Sequence, residues 1–429
     1  MTARWPGAVV VCALVLAGAA ARPQEPAAEP EADPSELLDA LLATVAGFRE
    51  MTPSELEREV AEIGGVRFRR PVTFEFLDRP ALGRYVHEIL ETEYGPEKAR
   101  ADVRTLTAFG LLPAGTDLRA LRARLLEENV AGFYDVRKGR KRMYAISARR
   151  TLTPGNQLVL SHELRHALQD QYADVNALLP QSVGDFDDRS FALVSLLEGD
   201  AILVMEQFLK KRLPGGDDRA FDASGFTMPV AEMLPDVPPV LRDQLMLPYA
   251  AGRSFAAALY QRGGWPALRA AWTASPASAE QVLHPEKYFA RESPLPVEPG
   301  PAPAGGRLVQ EGVLGEAFVG TLLGDGSAVA CAGWGGDRFR TWDVGGRTLL
   351  AWRSVWDTPA DAREFQDALA GVLERRGAAL PDRSGFRLRS APPWTVAWRV
   401  EPDGGVTLLS SDDAVVIEAA MKARTAPVR

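Results

Sequence analysis

His162-Glu163-Leu164-Arg165-His166, set in the run from Leu158 to Tyr172, is the stretch on which the fold reading turns. Ahead of it, Thr153-Pro154-Gly155 offers an N-cap side chain and a proline suited to the first helical position, which predicts a helix running to about Tyr172. On such a helix His162 and His166 stand one turn apart on a shared face. Both imidazoles can then reach one ion at about 2.0–2.1 Å, and Glu163 beside the first ligand can meet a water on that ion. Leu160, Leu164, Ala167 and Leu168 anchor the helix in an apolar core, an amphipathic setting. The chain has only 4 histidines, so a chance HExxH is rare, on the order of a few in a thousand.

A zinc site of this type needs a third protein ligand and an open position for water. Only His87 and His284 remain among histidines, which turns the search to carboxylates. Phe191 to Met205 reads as a helix apolar almost all round, interrupted by Glu198 and Asp200. A carboxylate buried there is costly unless it is paired or bound to metal. Glu198 is therefore the expected third ligand, weighed against a buried ion pair with Arg189 or another arginine. Asp200 lies two residues on and points elsewhere. It and Asp170 are expected to accept the second ring N–H of a ligating histidine. Amide hydrolysis also wants a donor for the developing oxyanion, and Tyr249, His284 and Tyr288, all beyond the second helix, are the candidates.

Composition bounds the rest. With 429 residues and 46% hydrophobic content the chain suits two globular domains. The net charge of -8 is spread without a basic stripe, which excludes nucleic acid as an expected partner. A basic start, a short apolar run from Val9 to Ala17 and small residues up to Ala21 predict a cleaved export signal over residues 1–21, hence a periplasmic or extracellular protein without a membrane span. Cys331 is then the one cysteine of the mature chain and a buried small hydrophobe. Residues 22–34, rich in Pro, Ala and Glu, read as a disordered lead-in.

Short amphipathic helices follow around Leu37–Val45 and Leu56–Ile63, then a strand over Val72–Leu77 and helices around Tyr85–Leu90, Val103–Phe109 and Leu118–Leu126. Val130–Asp135 and Arg142–Ile146 flank a polar turn and predict a β-hairpin with an unpaired edge, open to an extended peptide. Pro294–Gly306 reads as a linker that separates residues 35–293 from a smaller α+β domain over 307–429. There a strand (348–356), a helix (360–375), a hairpin (395–409) and a closing helix (414–423) are expected.

The run His162 to Gln171 reads H-E-L-R-H-A-L-Q-D-Q, Glu198 to Ala201 reads E-G-D-A, and Gly263-Gly264-Trp265 and Ser278 to Tyr288 (S-A-E-Q-V-L-H-P-E-K-Y) complete the set. With these motifs, over roughly residues 130–290, the chain resembles the gluzincin group of zinc peptidases, the thermolysin-like clan. More narrowly it is similar to secreted bacterial proteins that carry the same four motifs. The resemblance implies a mainly helical, zincin-like α+β metallopeptidase domain with a small sheet. It also implies Zn2+ held by His162, His166 and Glu198, with Glu163 as general base acting on a peptide or protein substrate. Glu-Gly-Asp here replaces the Asn-Glu-x-x-x-Asp of the better-known members, which leaves the partner of the ligating histidines open. Two other readings stand beside this one. The first is a catalytically inactive zinc-containing binding or scaffold protein of the cell envelope, for which the tryptophans after the linker would form a surface or a core. The second is hydrolysis of another bond, as in peptidoglycan.

Overall fold

The computed structural model describes residues 10–14, 39–40, 42, 47–147, 151–179, 187–213, 237–324 and 326–425. The expected export signal lies outside these apart from Val10–Leu14, and the lead-in over 22–34 lies wholly outside them. Two sheets and a majority of helices make an α+β fold. Among the described residues no helix is long and apolar enough to cross a membrane.

In chain order the first half comprises β1 (Val10–Leu14), α1 (Pro53–Ile63), β2 (Phe74–Leu77), α2 (Arg79–Glu93), α3 (Pro96–Phe109), α4 (Leu118–Asn129), β3 (Val130–Asp135) and β4 (Arg142–Ile146). Then come α5 (Pro154–Ala173), α6 (Asp188–Lys210), α7 (Pro239–Ala271), α8 (Ala279–Leu283) and α9 (Pro285–Ala290). The sheet order is β1-β3-β4-β2, with β2 parallel to β4 and the other pairs antiparallel. The hairpin β3–β4 falls on the expected residues, but neither of its strands is an edge. β1 covers β3 and β2 covers β4.

α5 begins as its sequence requires, with the Thr153 hydroxyl accepting the Asn156 N–H and Pro154 in the first turn. The expected amphipathic helix is instead buried on every side from Gly155 to Asp170, between β3–β4, α1 and α6. Its polar side chains must therefore find partners inside the protein.

α6 and α7 cross in close contact at two glycines. A methyl group added at Gly199 would stand 1.9 Å from the Gly252 carbonyl oxygen, and one at Gly252 would stand 2.0 Å from that of Ser195. Backbone cannot yield as a flexible side chain does. Gly199→Ala is expected to cost about 1–3 kcal/mol or more through overpacking, read as a lower midpoint in urea denaturation. An unchanged midpoint would refute the close crossing. α7 breaks at Gly263 and Gly264, where φ 63° and ψ -158° at Gly264 require glycine. The chain restarts at Trp265, which turns back onto the buried face of α5.

The C-terminal part contains β5 (Gly306–Gly312), α10 (Gly315–Leu323), β6 (Trp334–Val344), β7 (Arg347–Trp356), α11 (Pro359–Arg376), β8 (Ala378–Arg383), β9 (Phe386–Ala391), β10 (Trp394–Val400), β11 (Val406–Ser411) and α12 (Ala414–Thr425). Its antiparallel sheet runs β5-β6-β7-β11-β10-β9-β8, larger than expected. α12 covers one face through Ile417, Ala420 and Met421. The other face, with Phe339, Leu350 and Trp352, joins α10, α11 and the helices α2–α4 in one continuous hydrophobic cluster. The segment expected as a free linker is docked, with the Leu295 N–H on the Gly335 carbonyl and Val297 buried. Trp334, Trp352, Trp356 and Trp398 are core residues, as is Cys331, whose thiol burial pushes up to about 11.

Candidate metal centre

α5 and α6 lie against each other so that His162 and His166 on one face Glu198 on the other. The His162 Nε2 is 3.0 Å from Glu198 Oε2 and 2.9 Å from His166 Nε2, and the His166 Nε2 is 3.5 Å from the same oxygen. All three side chains are at most 3% exposed. Three lone-pair donors converging in a dry interior repel one another unless a proton or a metal cation lies among them. A tetrahedral ion with bonds of about 2.0–2.1 Å separates its ligand atoms by roughly 3.3 Å, so the donor set fits zinc in kind, number and spacing.

The two histidines titrate in opposite directions. Burial pushes His162 down, with Glu198 opposing. Burial also works against the His166 imidazolium, but Glu198, Glu163 and Gln169 outweigh it and hold that group above the usual 6.5. Glu198 is itself held below the usual carboxylate range because the two imidazoles outweigh its burial.

Glu163 is fully buried, and its Oε2 accepts the backbone N–H of Tyr134 on β3 at 2.9 Å. Its charge is near enough to favour protonation of His166. Tyr249, on α7, lays its ring 6.3 Å from that of His162 at an interplanar angle of 22°.

The other expected site residues go elsewhere. The His284 Nε2 pairs with Glu316 of α10 at 2.8 Å, a contact that also raises the imidazole's pKa. The Tyr288 hydroxyl donates to the Ala274 carbonyl at 2.8 Å. Among the described residues neither touches the three converging side chains, so these two expected oxyanion donors are spent as structural contacts. Asp170 accepts from the Tyr134 hydroxyl and the Lys141 ammonium, each at 3.0 Å, and thus ties α5 to the hairpin instead of holding a histidine.

Asp200 does not touch a histidine either. Arg165 binds it through two nitrogens at 2.9 and 2.8 Å, and Trp272 Nε1 and Gln169 Nε2 each donate to its Oδ2 at 2.9 Å. The direct partner of His166 is Gln169, whose Oε1 lies 2.8 Å from Nδ1. Because the Gln169 amide donates to Asp200 and to the Leu197 carbonyl, its oxygen must accept, which fixes the proton on His166 Nδ1 and turns the Nε2 lone pair to the centre. Sequence reasoning missed Gln169, although it stands three residues after His166 on the same helical face. Among the described residues His162 Nδ1 is buried without a protein partner.

Residues 305–426, less than a third of the 429, match a family model described as a domain of unknown function (DUF8575). No curated protein and no solved structure matches the chain. The matched segment runs from β5 through α12 and contains none of the converging side chains.

Proposed function

We propose that the chain is an exported zinc-dependent peptidase of the zincin type, with His162, His166 and Glu198 as ligands. The observation that carries this is the buried convergence of two imidazole nitrogens and one carboxylate oxygen, with Glu163 on the same helix. Zinc, when bound, would supply a Lewis acid that makes a coordinated water acidic near neutral pH and polarises a carbonyl. Glu163 takes the proton of the attacking water and returns it to the leaving amine. The Tyr134 N–H holds the carboxylate for both transfers. Tyr249 is the remaining candidate donor to the oxyanion. Removal of residues 1–21 would take β1 away with the signal and open the β3 edge, next to Glu163, to an extended substrate.

Profiling a peptide library with purified mature protein tests the reading. Cleavage should vanish with a chelator and return with zinc, and a protein that binds no ion, or cleaves regardless of chelation, would sink it. A pH dependence follows as well. Zinc must displace the proton that Glu198 helps to hold on His166, and that proton is bound more tightly than on a free imidazole. Zinc affinity should therefore begin to fall, as the solution is acidified, at a pH above the usual 6.5. Competition titrations against a chelator at a series of pH values read this directly.

A further inference from the structure

A groove of about 1290 Å³ lies where α3 and the loop leading into α4 face β5, and none of its lining residues belongs to the α5–α6 centre. Among the described residues β5 is the outermost strand of the larger sheet and pairs only with β6. Five consecutive residues, Arg307 to Glu311, line the groove, so it is the strand's backbone as well as its side chains that faces it. Outside that pairing, no backbone N–H or C=O of these five has a hydrogen-bond partner among the described residues. Such an edge is a template for another strand.

On the groove wall Gln310 is anchored through its amide nitrogen on Asp102 at 2.9 Å, and its Oε1, like Thr107 Oγ1, is buried with no partner among the described residues. Thr107, together with Ala114 and Trp394, also borders a second cavity of about 260 Å³ walled by residues such as Phe109, Leu112, Leu373 and Leu408. Open apolar concavities of this kind mark binding places, since protein interiors otherwise close-pack. The groove itself is lined by five basic and four acidic side chains, a balance that offers nothing to a polyanion.

We propose that this groove is a polypeptide-binding site distinct from the metal centre, where an extended, near-neutral segment adds to the edge of β5 and places one large apolar side chain in the cavity bordered by Thr107, Ala114 and Trp394. The pairing with β6 shifts register between Leu308 and Gln310. A bulge on an edge strand discourages indiscriminate pairing, so selectivity falls to the apolar cavity. The inference does not need the peptidase reading. Where both hold, the groove tethers a long substrate and raises its concentration at the metal centre.

The test uses the full Glu163→Gln protein, which keeps the groove and should not cut its ligand. A random-peptide phage library is panned on it, and enriched peptides are labelled with fluorescein for anisotropy. Ala114 is exposed, so Ala114→Trp fills the shared mouth without disturbing the core. Enriched peptides should share a large apolar residue, and Ala114→Trp should weaken them about ten-fold or more, equivalent to ~1.4 kcal/mol. Methylating alternate backbone nitrogens of the peptide should weaken it likewise, and chelation of zinc should change nothing. Failure to enrich any peptide, or equal binding to Ala114→Trp and its parent, overturns the proposal. Binding in the groove of a protein whose wild type cleaves nothing in the library profile leaves the proposal standing and overturns the peptidase reading alone.

Discussion

Glu163→Gln is expected to leave one zinc ion per chain while peptide cleavage falls by about 10²–10⁴-fold, the usual contribution of a positioned acid–base group. The substitution isolates the chemistry because so little else changes. The carboxamide has the size of the carboxylate, and its oxygen can still accept the Tyr134 N–H that now meets Oε2 at 2.9 Å. What disappears is the basic lone pair that, in the proposed reaction, takes the proton of the water. The negative charge that helps hold a proton on His166 disappears too, and with it an attraction that acts on a zinc ion as well as on that proton. Metal content by mass spectrometry and turnover on a denatured protein, measured on the same preparation, decide the matter. Turnover at the wild-type rate would remove Glu163 from the reaction. Loss of zinc together with loss of activity would mean that it supports the site instead of serving as base.

Much of this arrangement is legible in the sequence where local rules act alone. The Thr153-Pro154 start of α5, the one-turn spacing of His162 and His166, and the hairpin from Val130 to Ile146 all follow from capping, helical period and strand alternation. Glu198 is legible for a different reason, as an acid inside an otherwise apolar helix. What escapes is whatever depends on a partner distant in sequence. Asp200 reads as a histidine's partner, yet a buried arginine on the opposite helix and an indole from beyond Gly264 claim it. β6 escapes because Gly335, Gly336 and Asp337 break the pattern at its start, β9 because its alternation is short and buries only Phe386 and Leu388, and β8 because it is exposed at the sheet edge and has no buried face to show. The linker looked free because proline and glycine forbid regular structure, but an irregular chain can still pack, as Val297 does. Gly199 and Gly252 are explained only by the helix crossing itself.

Arg165→Ala is expected to destabilise the protein by about 3–5 kcal/mol, the cost of stranding one member of a buried ion pair. Both side chains of the Arg165–Asp200 pair are 0% exposed, so no solvent screens the carboxylate once the guanidinium is gone. The guanidinium also lies 5.0 and 4.8 Å from the rings of Trp265 and Trp272, and its removal leaves a gap between them. The effect should reach the metal centre along a defined route. Asp200 fixes the Gln169 amide, and Gln169 fixes His166 Nδ1, so loosening Asp200 loosens a ligand. Groups that support a metal ligand in this way are worth roughly 10–100-fold in affinity. The double variant Arg165→Met with Asp200→Leu separates the two consequences. It removes the stranded charge and refills the volume, so urea denaturation of the zinc-free protein should recover most of the lost stability. It also deprives Gln169 of one of its two acceptors, so zinc affinity should stay low. A single variant that loses less than about 1 kcal/mol, within the range of an exposed pair, would show that water reaches Arg165. Recovery of both properties in the double variant would show instead that His166 is oriented without Asp200, by Gln169 and the Leu197 carbonyl alone.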